Sequence, residues 1–259
     1  APVYFQLTEL ISAELSPANA TAVLDRMAQS TVMILLNNSG NSNKTFDLEL
    51  YNFNEQGEVC DPDIDCIIQV TFADDLTDQP SKTQTVAAGG QAIVRIYAMV
   101  GMEARADREN KFELAVSSDG TELDRSGVIV KANPFHFINF YMNEEYNAIP
   151  GATIRVPINL VNNGNLLEVV NVTALTPANW NTSVNDSNIA IEPSSGVEQG
   201  VSVEVSITLP PLEPGSILAA DEVFNVIIQV LNITDNIVIG TSNITVTILP
   251  VFALNIISQ

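Results

Sequence analysis

The sequence predicts an all-β chain built as two successive antiparallel β-sandwiches, and three observations carry that expectation. Apolar residues alternate with polar ones over short runs, Gly, Asn, Pro and Asp turns separate the runs, and the whole pattern occurs twice. The repeat is plainest in two stretches. Residues 153–173, TIRVPINLVNNGNLLEVVNVT, set two apolar runs around Asn162-Asn163-Gly164-Asn165, and residues 30–51, STVMILLNNSGNSNKTFDLELY, set Asn37, Asn38, Ser39, Gly40 and Asn41 at the same point. Each stretch reads as a β-hairpin whose turn takes positive φ at little cost. In a chain of 259 residues the duplication gives two units of ordinary domain size, residues 1–133 and 134–249, and leaves a last segment at 250–259.

In order, residues 3–7 read as an extended segment and residues 8–29 as an irregular connection, with helix-like spacing among Ala22, Val23, Leu24 and Met27. From Ser30 the pattern is β. Phe46, Leu48 and Leu50 alternate with Asp47, Glu49 and Tyr51, which puts one set on a core face and the other in water. Strands follow at 67–72 and, after the Gly89-Gly90 turn, at 91–100; a charged loop at 103–110 precedes strands at 112–117 and 127–131, joined by Asp119-Gly120. About seven strands result. Pro134 marks the boundary, and residues 135–142 stand where residues 3–7 stood. Val201, Val203, Val205, Ile207 and Leu209 alternate strictly with polar residues in a strand whose counterpart is residues 91–99, and runs at 223–231 and 237–249 complete the second unit.

Composition narrows the functional classes. Lys and Arg number 10 against 31 Asp and Glu, a formal charge of −21 that repels phosphate backbones and anionic lipid headgroups. Nucleic acid is not an expected partner; cations, cationic surfaces and copies of the chain itself, once divalent ions screen the repulsion, are. No apolar run approaches the roughly 20 residues of a membrane-crossing helix. Ala1-Pro2-Val3 suits a processed export product, and equally a trimmed chain. Asn-Xaa-Ser/Thr triplets at Asn19, Asn37, Asn43, Asn171, Asn181, Asn185, Asn232 and Asn243 are candidate sites for N-linked glycans and favour an extracellular location.

The order Pro150-Gly151, alternating strand, Asn162-Asn163-Gly164-Asn165, second strand, Pro177-Ala178-Asn179-Trp180, then VSVEVSITLP at 201–210 and FNVIIQV at 224–230 resembles the immunoglobulin-like CARDB-type domains strung along archaeal and bacterial surface proteins. The resemblance covers residues 150–249 well and residues 30–131 loosely, since the first unit has no Trp at the place of Trp180 and carries an extra cysteine loop. What it implies is two tandem immunoglobulin-like sandwiches serving as an adhesive, spacer or assembly module of a cell envelope, most naturally archaeal, with no catalytic residue to transfer.

Cys60 and Cys66 enclose Asp61-Pro62-Asp63-Ile64-Asp65. In an exported chain two cysteines so spaced most simply form a disulfide; zinc would want four ligands, and His136 is the only histidine. Asp61, Asp63 and Asp65 recur at period two, near Glu55, Glu58, Asp74, Asp75 and Asp78, and offer the hard oxygens that calcium takes. The competing reading is a solvated acidic loop, without the Gly and Glu of an EF-hand. Trp180 reads as a core plug ahead of a sugar-stacking platform, and His136 as a strand residue without a chemical role. No Gly-x-Ser-x-Gly, phosphate loop or His-Glu-x-x-His motif is present, so the chain is not expected to be an enzyme.

Three similar strand openings complete the pattern: Pro2-Val3-Tyr4-Phe5-Gln6-Leu7, Pro134-Phe135-His136-Phe137-Ile138-Asn139-Phe140 and Pro250-Val251-Phe252-Ala253-Leu254-Asn255-Ile256. A bare strand presenting Phe252, Leu254 and Ile256, or Val3, Phe5 and Leu7, calls for a cover. Either a third sandwich follows, or an end strand completes a neighbouring subunit, which resembles pilus-like surface threads and generates an open filament. The expectation is a structural cell-surface protein, subunit of an extracellular filament or surface layer; the alternative is a carbohydrate-binding or adhesion module of a larger secreted protein.

Overall fold

The structure, a computed structural model, describes residues 8–54, 57–60, 66–74, 80–194, 199–212 and 220–251. It is all-β, and the chain divides into two units, Ala1–Pro134 and Phe135–Gln259. In unit 1 the strands are β1 (Ala13–Ser16), β2 (Asn19–Leu24), β3 (Gln29–Asn38), β4 (Lys44–Phe53), β5 (Ile68–Phe72), β6 (Ser81–Val86), β7 (Gln91–Val100), β8 (Glu109–Ser118) and β9 (Thr121–Ala132). They form two sheets, β1-β3-β7-β5 and β2-β9-β8-β4-β6.

Unit 2 runs the same circuit. Its strands are β10 (Ile138–Tyr141), β11 (Glu145–Ala148), β12 (Thr153–Asn162), β13 (Glu168–Leu175), β14 (Asn181–Val184), β15 (Ile189–Ile191), β16 (Val201–Thr208), β17 (Val223–Asn232) and β18 (Ile237–Ile248). The sheets are β10-β12-β16-β14 and β11-β18-β17-β13-β15, so strand n of unit 1 answers to strand n+9 of unit 2. Even the irregularities match: each last hairpin slips register once, at Val116/Ser117 and at Val230/Leu231. Both units are immunoglobulin-like sandwiches, with the opening strand split between the two sheets.

Alternation decides which side chains meet between the sheets. Along β7, Val94, Ile96, Ala98 and Val100 are buried while Gln91, Ile93, Arg95 and Tyr97 face out; along β16 the buried set is Val203, Val205 and Ile207. Unit 1 fills its core with Phe46, Phe72 and Phe112 among aliphatic residues. Unit 2 fills the equivalent space with Val, Ile and Leu, and Trp180 closes one side against Phe224, ring centroids 5.3 Å apart. Trp180 is therefore a core residue. By register, Ile68 of unit 1 pairs with Val100, the last residue of β7, while Trp180 precedes Asn181, which pairs with Thr208, the last residue of β16. Full burial of one such side chain contributes about 1.5–3 kcal/mol.

Several expectations need correction. Among the described residues each unit has nine strands where about seven were expected, and residues 8–29 contain β1 and β2 instead of an irregular connection. Pro17 splits this region between two sheets, so neither half is long enough to show a period, and the helix-like spacing ends at Met27, whose φ is 60°. The sheets are mixed: β2 pairs with β9, and β11 with β18, in parallel. The supposed hairpins at 30–51 and 153–173 are not hairpins. β3 and β4 belong to different sheets, as do β12 and β13, so each Asn-rich turn is an arch across the core.

Candidate functional site

The two arches are built alike, from one buried asparagine each. Asn162 Nδ2 donates to the carbonyls of Leu166 (2.8 Å) and Ile191 (2.9 Å), and its Oδ1 accepts from the Gly164 N–H (2.9 Å). Asn38 does the same with Ser42 (2.9 Å), Val86 (3.0 Å) and Gly40 (3.0 Å). Both side chains thus satisfy backbone groups that a chain leaving one sheet for the other would otherwise strand. The arch also clasps the chain entering its unit: Asn165 Oδ1 accepts from Phe135 N while Asn165 N donates to Phe135 O, and Asn41 holds Leu10 by the same two bonds. The glycines serve this approach, not a left-handed turn. A Cβ on Gly164 would lie 2.4 Å from Phe135 O, and one on Gly40 would lie 2.3 Å from Leu10 O, while neither residue has positive φ.

Beneath the second arch lies an enclosed polar cluster. Glu168, wholly buried at the start of β13, takes a hydrogen bond on Oε1 from His136 (2.7 Å to Nδ1) and another on Oε2 from Asn232 Nδ2. Asn232 in turn accepts the Thr234 and Asp235 N–H groups at 2.8 and 2.9 Å, and His136 Nε2 lies 3.9 Å from Asp235 Oδ2. His136 therefore has a structural task that its place in an aromatic run concealed. It ties the opening segment to the start of β13 in the other sheet.

Unit 1 carries different chemistry at these positions. Lys44, the counterpart of Glu168, reaches Asp119 at 2.9 Å in the β8–β9 turn; the Asp119 hydrogen bond raises the Lys44 pKa, and Lys44 holds the Asp119 carboxyl below its ordinary value. A further network runs along the outer face of the same sheet. Arg125 bonds Glu113 (2.6 Å) and Glu122 (2.7 Å) and stacks over Tyr51 at 4.8 Å. Burial pushes the Glu113 carboxyl up, but hydrogen bonds from Lys111 and Arg125 outweigh it and leave the group below its usual range. Nine of the ten Lys and Arg residues precede Pro134; Arg155 stands alone in unit 2.

The seam between the opening strand and the last strand separates the units further. In unit 1, Leu15 N–H on β1 donates to Asp124 Oδ2 of β9 (2.6 Å), Ser126 Oγ donates to Pro17 O (2.7 Å), and β2 covers β9 from Gly127 onward. In unit 2, Gly240 stands at the place of Asp124, and β11 covers β18 only from Thr245 onward. An open cleft of about 590 Å³ remains, lined by Phe137, Ile138, Phe140, Val238, Ile239 and Gly240 among others. Phe137 and Val238 are 44% and 50% exposed, so apolar surface faces water where unit 1 is laced shut.

No known protein family matches the chain, and no curated protein matches it either. Among solved structures it is similar to a protein of unknown function from Porphyromonas gingivalis W83, at 16% identity over 92% of this chain and 99% of the other, TM-score 0.33. The periplasmic chaperone SfaE is similar at 14% identity over 92% of this chain and 99% of the other, TM-score 0.34. A CARDB domain from Pyrococcus furiosus is similar at 8% identity over 51% of this chain and 95% of the other, TM-score 0.30. Likeness at these values carries nothing about activity or partners.

The remaining sequence candidates fall as follows. Cys60 and Cys66 form a disulfide, their Cα atoms 5.4 Å apart. Asp61, Asp63 and Asp65, and the end residues Val3, Phe5, Leu7, Phe252, Leu254 and Ile256, lie outside the described residues. Among the described residues no group of three His, Cys, Asp or Glu is placed to hold a metal ion, and no helix is long and apolar enough to cross a membrane. Asn19, Asn43, Asn181, Asn185 and Asn243 are exposed, and Asn37 and Asn171 are half-buried. Asn232 does not fit its assignment as a glycan acceptor: it is 2% exposed and its Nδ2 is bonded to Glu168, so a sugar there would displace the cluster.

Proposed function

We propose that the chain is a structural subunit of an extracellular filament or surface layer, joined to its neighbours by β-strand addition. The observation that carries this reading is the open seam of unit 2, where an apolar cleft lies against strand edges that unit 1 covers with its own side chains. Strand addition supplies main-chain hydrogen bonds together with buried side chains, and the alternating segments at 3–7 and 252–256 have the composition to donate them. A cell-surface setting accords with the disulfide and with the exposed Asn-Xaa-Ser/Thr sites. Under this reading the chain is not an enzyme, its partners are further copies of itself, N-linked glycans occupy exposed sequons, and calcium at the 61–65 loop is an optional ligand.

Electron microscopy of the native material, alongside chains lacking residues 1–7 or 252–259, tests the assembly. Regular polymers from the intact chain are expected, with loss of assembly on removing one end. Normal polymers from both shortened chains would sink the reading. A carbohydrate-binding role has one observation in its favour, the exposed Phe135–Phe137 pair with ring centroids 6.1 Å apart. Dispersed monomers that bind a glycan, and lose it on Phe135→Ala, would move the assignment there.

A further inference from the structure

In a chain of net charge −21, the outer face of the sheet β1-β3-β7-β5 of unit 1 is apolar. Met33, Leu35, Ile93, Tyr97 and Met99 stand on it, with Met33 58% and Ile93 48% exposed. Glu14 and Arg95 are the only charged residues in the four strands of this sheet. Both point outward, since their neighbours Ala13, Leu15, Val94 and Ile96 are buried. Among the described residues neither side chain has a hydrogen-bond or ion-pair partner. An exposed apolar patch that carries Met, Tyr and Arg and is poor in Glu and Lys has the composition of an interface core.

Register keeps the two charges apart. Glu14 pairs with Asn37 on β3 and Arg95 pairs with Met33, so they lie two strands and four residues apart, roughly 16 Å across the face. Leu35 is the midpoint, on the strand between β1 and β7 and two residues from both Asn37 and Met33. The matching face of unit 2 settles its charges internally. There Arg155 of β12 lies 3.8 Å from Glu204 of β16, among Asn159, Ser202 and Ser206.

We infer that this face of unit 1 docks on the same face of a second copy, with Leu35 at a two-fold axis and Glu14 of each copy against Arg95 of the other. A two-fold axis lying between the faces, crossing at Leu35 and perpendicular to the line from Glu14 to Arg95, exchanges those two positions. One operation therefore closes both ion pairs, around an apolar centre. The contact is isologous, so it is complete at two chains. Net charge opposes the approach of two copies, yet these strands carry one charge of each sign and add nothing to that repulsion. Asn37, half-buried beside Glu14, lies inside the contact and carries no glycan there. The contact is separate from strand addition, which joins unlike surfaces.

A full-length Leu35→Cys chain under mild oxidation tests the axis, because a residue on a two-fold axis meets its own counterpart. A disulfide-linked dimer and nothing larger is expected on a denaturing gel, at least tenfold more abundant than from Asn159→Cys, which stands three residues before Asn162 as Leu35 stands before Asn38. In the Leu35→Cys background, Glu14→Arg or Arg95→Glu alone should cut the dimer at least tenfold, and the two together should restore it, since opposite charges again meet. Absence of the dimer, indifference to the single reversals, or failure of the double reversal to restore it would overturn the contact, as would a glycan found on Asn37 of the native chain by mass spectrometry. Removing residues 1–7 or 252–259 should leave this dimer in place whatever it does to polymers, so the two readings fail separately; loss of the dimer on either removal would overturn it as a contact in its own right.

Discussion

Positions 44 and 168 open equivalent strands, yet Lys44 sets its charge against a turn residue that is 75% exposed, while Glu168 is enclosed with His136 and Asn232. The surface pair can be lost to water and screened by salt; the enclosed carboxylate depends on two named donors. Elsewhere the contrast reverses. Unit 1 laces its seam with Asp124 and Ser126 and unit 2 leaves it open. Duplicated circuits thus hold the same fold while exchanging where each is closed and where it is available.

The sharpest way to test that contrast is at the corner. His136→Ala leaves a buried carboxylate with half its partners and should destabilise unit 2 by about 3 kcal/mol or more. Lys44→Ala at the matching place should leave unit 1 close to its original stability. Hydrogen exchange read peptide by peptide in the intact chain separates the two; equal losses would mean the corners are alike after all.

Next in size, Asn38→Ala and Asn162→Ala should each cost about 2–3 kcal/mol, because each strands two carbonyls and an N–H inside an arch. Denaturant titration checks the match, and a large cost in one unit only would break the claimed equivalence of the arches. Reducing Cys60–Cys66 should follow at about 2 kcal/mol, the chain-entropy value for so short a loop, and should raise exchange in unit 1 alone.

Acid gives the smallest effect. Asp107, Glu113, Asp119 and Glu122 of unit 1 are held below the ordinary carboxylate range, Glu113 against its own burial. A depressed carboxylate contributes stability that is present above its unfolded pKa and is lost as pH falls through the folded one. Unit 1 should therefore loosen progressively below about pH 4, with each surface pair contributing little. Melting followed from pH 6 to pH 2 reads this, and 1 M salt should shrink it.

The β class, the repeat, the link near Pro134 and the Cys60–Cys66 pairing are written in alternation, turn residues and spacing, which are local properties. The arches were not legible as arches, because Asn-Asn-Gly-Asn serves a hairpin or a sheet-to-sheet crossing equally well and the choice belongs to the core. Nor could Glu168 be singled out. A lone acid after an Asn-rich turn looks solvated until His136, 32 residues earlier, and Asn232, 64 residues later, are brought to it. The seam was hidden for the same reason, since Asp124 against Gly240 has meaning only once the hairpins are aligned.

The parallel pairing of β2 with β9 and of β11 with β18 bears on how each unit responds to a pull. Tension drags the incoming strand back by its start and the outgoing strand forward by its end, in opposite directions along parallel neighbours. The hydrogen bonds between them are loaded in shear and must fail together, not peel one at a time. Unit 1 has six residue pairs in this position, Asn19↔Gly127 through Leu24↔Ala132, and unit 2 has four, Glu145↔Thr245 through Ala148↔Ile248. Under tension along the chain, the four-pair contact of unit 2 is expected to yield before the six-pair contact of unit 1.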